Sequence, residues 1–263
     1  MDASAVTVGV SLKMYFGQAR TLDWSRRVAD LARTHQAVTS GLVEMFALPA
    51  TPLIPPVLAA FAGTGVGVGA QDLSWADSGA YTGETSGTLL RELGCRYAEV
   101  GHAERRRLFG EDDQVVAAKT AAALRNGLTP VLCVGEPDRV SPAEAARRCV
   151  TELGGLLAAA DQDGAPGRVV VAYEPHWAIG APEPASTDHI ATVCAALRER
   201  LAEDACRAGS RVIYGGSAGP GLLTDLGTEV GGLFLGRFAH DPDAVAAILD
   251  EALALHGAGA RAR

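Results

Sequence analysis

Val169-Val170-Val171-Ala172-Tyr173-Glu174-Pro175-His176-Trp177-Ala178-Ile179-Gly180 is the stretch from which the rest of the chain can be read. Small and β-branched apolar residues run unbroken into a tyrosine and a carboxylate. Pro175, which has no N–H for a sheet ladder, ends the run. A continuous apolar run of this length suits a parallel strand covered on both faces. Glu174 then stands at the strand's C-terminal end, where parallel α/β sheets carry their chemistry. The segment 175–185 is too apolar for a solvated loop and too rich in Pro and Gly for a helix. It predicts a lid that keeps water from a base beneath it. A strand-ending glutamate that caps the next helix is the plainer alternative.

Outward from this stretch, strand-like and helix-like segments alternate over the whole chain. Strands are predicted at 6–12, 42–48, 66–70, 97–100, 129–134, 168–174, 211–214 and 232–235. Helices are predicted from Thr21 (as cap), from Thr51-Pro52, at 86–93, 112–126, 141–160 and 187–208, near Leu222, and at 241–255. Capping side chains and prolines at first positions mark several starts. Eight such units of roughly 33 residues each match a (β/α)8 barrel, an α/β fold. No linker interrupts them, so one domain is expected over 1–256, with a disordered tail at 257–263. A doubly wound open sheet is the runner-up, but the G-x-G-x-x-G turn it would usually show is missing after the first strand.

The chain has 263 residues, 48% hydrophobic and 21% charged, with a net charge of −8. Arg105-Arg106-Arg107 is its one basic triplet, flanked by Glu104 and Glu111, so a nucleic-acid partner is not expected. No window is apolar enough to span a membrane, and the N-terminus lacks the basic and apolar regions of a leader. Five cysteines (Cys95, Cys133, Cys149, Cys194, Cys206) show no C-x-x-C spacing. That pattern suits a reducing compartment, hence the cytoplasm. The histidines never fall at ligand spacing and no G-x-S-x-G elbow appears, so neither a metal, another cofactor nor a serine triad is expected.

If the barrel is right, the residues just past each strand converge: Lys13, Gln71, His102, Glu136, Glu174, Ser217 and Gly236. A carboxylate, a histidine, a lysine and glycine-rich turns at one mouth suit an anionic, phosphorylated carbonyl substrate. The carboxylate can take a proton from the carbon beside the carbonyl, and the cationic and imidazole groups can stabilise the oxygen that becomes negative. Gly215-Gly216-Ser217-Ala218-Gly219 offers successive N–H groups as a phosphate cradle. Taken singly, Lys13 can be a solvated strand end, His102 a helix cap and 215–219 a turn.

In chain order, the motifs Leu12-Lys13-Met14, Gly79-Ala80-Tyr81-Thr82-Gly83-Glu84-Thr85-Ser86, Val100-Gly101-His102-Ala103-Glu104-Arg105-Arg106, Cys133-Val134-Gly135-Glu136, Tyr173-Glu174-Pro175-x-Trp177-Ala178-Ile179-Gly180 and Tyr214-Gly215-Gly216-Ser217 resemble the triosephosphate isomerase family. The resemblance implies Glu174 as the base, His102 as a neutral imidazole serving the enediolate oxygens, and Lys13 as electrostatic partner with Glu104 paired to it. It also implies phosphate held by N–H groups of Gly180, Ser217, Gly236 and Arg237, with Tyr214 latching the lid. Triosephosphate isomerase is itself the standard illustration of a glutamate base beside a neutral histidine, so those roles come with the resemblance. A homodimer is expected from the long third loop, Gln71 to Thr85, which carries Trp75 and Tyr81 and is too apolar to stand free in water. The resemblance implies that it reaches the partner through Thr82 at its tip, and a loop folded back on its own barrel is the alternative.

The departures bear on the substrate. Ser11 stands where the family has a substrate-contacting asparagine, Ala103 replaces serine, and the lid's far end lacks the usual hinge. Arg237 replaces the second glycine of the last phosphate pair. A branch acting on tetrulose phosphates is similar at several of these points, including the stretch 75–84 and the ending Gly232-Leu233-Phe234-Leu235-Gly236-Arg237. The small phosphorylated sugar expected is therefore L-erythrulose 1-phosphate, converted to D-erythrulose 4-phosphate. Triose phosphate isomerisation is the alternative, and a silent phosphosugar-binding barrel the second.

Overall fold

The computed structural model describes residues 6–261. Eight parallel strands close into a barrel in sequence order: β1 (Val6–Ser11), β2 (Val43–Leu48), β3 (Gly67–Ala70), β4 (Tyr97–Val100), β5 (Thr129–Val134), β6 (Val170–Tyr173), β7 (Arg211–Tyr214) and β8 (Gly232–Leu235). Closure is made by β1, which pairs with β2 on one side and with β8 on the other. Helices alternate with the strands, giving a single (β/α)8 domain, as the alternating pattern predicts. No helix among the described residues is long and apolar enough to cross a membrane.

Side chains alternate across each strand. On β6 and the residue before it, Val169, Val171 and Tyr173 face the helices and join the large outer core. Val170 and Ala172 face inward, with Phe46, Leu48, Tyr97, Val131, Cys133, Ile213 and Phe234. The same period carries Glu174 to the inner face, at the mouth. Glu174 N–H still donates to Val134 O at 2.8 Å, so the ladder fixes the carboxylate's backbone before Pro175 turns the chain away. Lower in the barrel Phe46 stacks on Tyr97, ring centroids 4.5 Å apart. The ring has room because β1 carries glycine opposite: a Cβ on Gly9 would lie 2.2 Å from Phe46.

Several boundaries differ from the sequence reading. The first helix is Gln18–Thr34, capped at Gly17 rather than Thr21, because Gln18, Ala19 and Arg20 already favour helix. Thr51 caps nothing: it lies in a 3-10 turn, Thr51–Leu53, ahead of helix Ile54–Ala60. The helix predicted to run to 208 is Thr187–Ala202, and a separate turn at Ala205–Arg207 follows. A short helix, Ala103–Phe109, has no counterpart among the predicted ranges, though the reading of His102 as a helix cap implies one. The last helix is Pro242–Arg261, so 257–261 is helical where a disordered tail was expected. Alanines interleave its two glycines, each costing only about 1 kcal/mol, and no proline intervenes. Residues 262–263 of that expected tail lie outside the described residues.

Candidate active site

The C-terminal ends of the strands surround a cavity of about 740 Å³, lined among others by Ser11, Lys13, His102, Glu104, Glu174, Gly180, Ser217, Gly236 and Arg237. Lys13 leaves β1 with a φ of +46°, a region non-glycine residues seldom adopt. Gln71 holds it there: its side-chain amide donates to Lys13 O at 3.0 Å and Leu48 O at 2.9 Å. Gln71 thus serves the site from behind. The Lys13 ammonium reaches Glu104 Oε1 at 2.7 Å. Burial opposes its charge, but Glu104 and, more weakly, Glu174 and Glu99 outweigh it and raise its pKa.

His102 is both cap and site residue, which resolves the two readings of it. Its Nδ1 accepts the Glu104 N–H at 3.1 Å, so in the neutral ring the proton sits on Nε2. That nitrogen lies 3.6 Å from Glu174 Oε2. Burial, then the Lys13 charge, pushes the His102 pKa down to about 4. The N-terminus of the helix it caps also disfavours an imidazolium.

Glu174 is 3% exposed, and its Oε2 is buried without a hydrogen-bond partner. Burial, reinforced by Glu99 and opposed by Lys13, lifts its pKa to about 8. The floor beside it is glycine by necessity: a Cβ on Gly215 would lie 2.7 Å from Glu174 Oε1.

The segment 175–185 covers one side of the cavity, and both its ends are tied down. Near its start Trp177 Nε1–H donates to Glu136 Oε1 at 2.9 Å, and Tyr173 and His189 bond the same carboxylate. Glu136 therefore anchors the lid and does not line the cavity with the other strand-end residues. At the far end Ala185 N–H donates to the Tyr214 hydroxyl at 3.1 Å. The Ser217 N–H, one of the four implied for phosphate, donates to Ala178 O at 3.1 Å. Arg237 reaches over from β8 to Gly180 O at 3.4 Å. Thr82 is exposed at the tip of the third loop and does not reach this cavity.

A family model described as triosephosphate isomerase matches residues 6–252. The chain belongs to the triosephosphate isomerase family. Among relatives, an L-erythrulose-1-phosphate isomerase of Pectobacterium atrosepticum is 55% identical over 255 residues, 97% of this chain and 98% of the relative. Another of that name, from Mesorhizobium japonicum, is 37% identical over 94% of this chain and 97% of its own. A triosephosphate isomerase of Alkalilimnicola ehrlichii is 38% identical over 86% of this chain and 92% of its own.

One ionisable residue at the site went unnoticed in the sequence. Glu99, 3% exposed, sits on the inner face of β4, where Ser11 Oγ donates to its Oε2 at 2.9 Å. Burial lifts its pKa to about 7, the Ser11 hydrogen bond opposing. The signal was there to find: a lone charge in the otherwise uncharged strand Tyr-Ala-Glu-Val, in phase with the inward Tyr97.

Proposed function

We propose that the protein is a cofactor-independent isomerase that interconverts L-erythrulose 1-phosphate and D-erythrulose 4-phosphate through an enediolate. The observation that carries the chemistry is the buried, unpartnered Glu174 Oε2 facing the Nε2 of a neutral His102 at 3.6 Å. Glu174 takes the proton from C3, and the C–H electrons become the C2=C3 double bond as the carbonyl oxygen turns negative. The Lys13 ammonium and His102 Nε2–H stabilise that oxygen. His102 gives its proton to the oxygen on C2 and takes one from the oxygen on C3. Glu174 returns its proton to C2, leaving the carbonyl on C3. Gly180, Ser217, Gly236 and Arg237 hold the phosphate, and the guanidinium of Arg237 adds a charge suited to it.

Ser11 supports the four-carbon substrate. It is shorter than the family's asparagine, and L-erythrulose 1-phosphate is dihydroxyacetone phosphate with CH2OH in place of a hydrogen on the carbon that loses its proton. The names of the relatives from Pectobacterium and Mesorhizobium agree with this choice. Triose phosphate, the substrate named for the Alkalilimnicola relative, is the second reading.

The active form is read as a homodimer in the cytoplasm. Met14, Tyr15, Trp75, Tyr81, Leu108 and Phe109 are exposed on the segments following β1, β3 and β4, at one end of the barrel, and suit an apolar contact with a second copy. All five cysteines are free, which suits a reducing compartment.

The test is incubation with L-erythrulose 1-phosphate in D2O, followed by NMR. Formation of D-erythrulose 4-phosphate, with deuterium entering the carbon that gains the proton over repeated turnovers, is the expected result. Unchanged substrate overturns the proposal.

A further inference from the structure

Ser11 lines the cavity, and its hydroxyl is held by Glu99, across the barrel from β1 to β4 and 88 positions away in sequence. Both residues are 3% exposed. Burying a carboxyl beside one neutral hydroxyl is unfavourable, and an apolar side chain there would avoid the cost. Such a local conflict is characteristic of functional sites. The groups acting on Glu99 are Ser11 and Lys13 from the first unit, Asp72 after β3, Glu104 after β4, Cys133 on β5 and Glu174 after β6. No cation is hydrogen-bonded to it among the described residues. The pair is therefore a poor investment for stability and a specific one for orienting Ser11.

The ends of the substrate are fixed by the same geometry. Phosphate belongs with Ser217, Gly236 and Arg237, and the reacting carbons lie between Glu174 and His102. A carbon attached beyond them stays within the same mouth, where Ser11 lines the cavity together with Lys13, His102 and Glu174. We propose that Ser11 and Glu99 form the specificity pair of this enzyme: Ser11 touches the terminal hydroxyl of a four-carbon ketose phosphate, and Glu99 is the positioning residue that sets the direction of the Ser11 hydroxyl. This rests on the tetrulose reading above. When Glu99 is ionised, Ser11 donates to it and offers its lone pairs to the substrate O–H. When Glu99 is protonated it can donate to Ser11, which then donates to the substrate oxygen. A primary alcohol, donor and acceptor at once, is matched in either state. The carboxyl's displaced pKa, about 7, makes both states accessible near neutrality.

The experiment compares kcat/KM for L-erythrulose 1-phosphate with that for its 4-deoxy analogue, 3-hydroxy-2-oxobutyl phosphate, in wild type, Ser11→Ala, Glu99→Val and Glu99→Gln. Dihydroxyacetone phosphate is measured alongside. A site built around a substrate hydroxyl discriminates strongly against the analogue lacking it, so the wild-type ratio is expected to be 100-fold or more. Ser11→Ala and Glu99→Val should each lower that ratio at least tenfold, and the double variant should lower it no further than the worse single one. Glu99→Gln, whose amide can still accept from Ser11, should keep part of the ratio. A structural role would lower both substrates alike, so an unmoved ratio in folded variants overturns the proposal. If Glu99→Val does not fold, Ser11→Ala and Glu99→Gln decide it. A wild type that does not favour the tetrulose over dihydroxyacetone phosphate overturns the functional reading and this one together. A wild type that does, with variants that keep the ratio, overturns the pair alone.

Discussion

Glu174 is made basic by burial beneath the lid and by the neighbouring charge of Glu99, against the pull of Lys13. The proposal assigns it the proton transfer, so Glu174→Gln should cut kcat by at least 100-fold while phosphosugar binding stays close to wild type. Activity within tenfold of wild type contradicts the assignment. The base works ionised and its pKa is about 8, so kcat/KM should rise with pH up to that value. The His102 limb, near 4, lies too low to interfere. For stability the sign is opposite. Glu99 has a folded pKa of about 7, above the ordinary 4.5, so the native state holds its proton more tightly and loses stability as pH rises between the two. Glu99→Gln should therefore gain on wild type between pH 5 and pH 9, by about 2 kcal/mol at the upper end, in denaturation at the two pH values. A constant difference contradicts the buried charge. Lys13, His102 and Glu174 were legible because each follows a strand in a chain of evenly repeated units. Glu99 was less legible because it lies within β4, at the last inward position before the strand end, and belongs to no motif of residues past the strands.

On the proposed function, the segment 175–185 is the lid on which substrate capture turns. Its apolar composition made it recognisable, and the structure supplies the anchors: Glu136 at the start and the Tyr214 hydroxyl at the end. Glu136 was read as a mouth residue since it too follows a strand, but Trp177, Tyr173 and His189 draw its carboxylate under the lid. Because Ser217 N–H is engaged by Ala178 O, its use for phosphate requires the lid to give up that bond. Tyr214→Phe leaves the buried Ala185 N–H without its acceptor. A buried hydrogen bond of this kind is worth about 1 kcal/mol, so kcat/KM should fall by about five- to tenfold in steady-state assays. An unaltered value shows that the latch does not contribute to closure. The short helix Ala103–Phe109 was legible only through the alternative reading of His102 as a helix cap, an unusual residue there in place of Ser, Thr, Asp or Asn.

At the scale of the molecule, the barrel was legible because parallel strands buried on both faces write themselves as short apolar runs at even spacing. Helix ends were less so, since capping residues also occur outside caps, as Thr51 does. Association was read from the third loop, and the structure adds that this loop is braced. Ser74 N–H donates to Thr85 O at 2.8 Å, and Trp75 meets Tyr81 edge to face at 5.9 Å. An ordered, exposed apolar loop argues for a partner, and sedimentation should give a species near twice the chain mass of 27.1 kDa. A sole species at the chain mass, at micromolar concentration, contradicts the dimer.

The most direct test of the central claim is the wild-type kcat/KM measured in parallel on L-erythrulose 1-phosphate and dihydroxyacetone phosphate. Replacing asparagine by Ser11 at the reacting end predicts that the tetrulose value is the larger, by roughly 10–200-fold, and that Ser11→Asn moves the ratio toward the triose. Turnover of the triose near the diffusional ceiling of about 10⁸ M⁻¹s⁻¹, with the tetrulose left untouched, would contradict it.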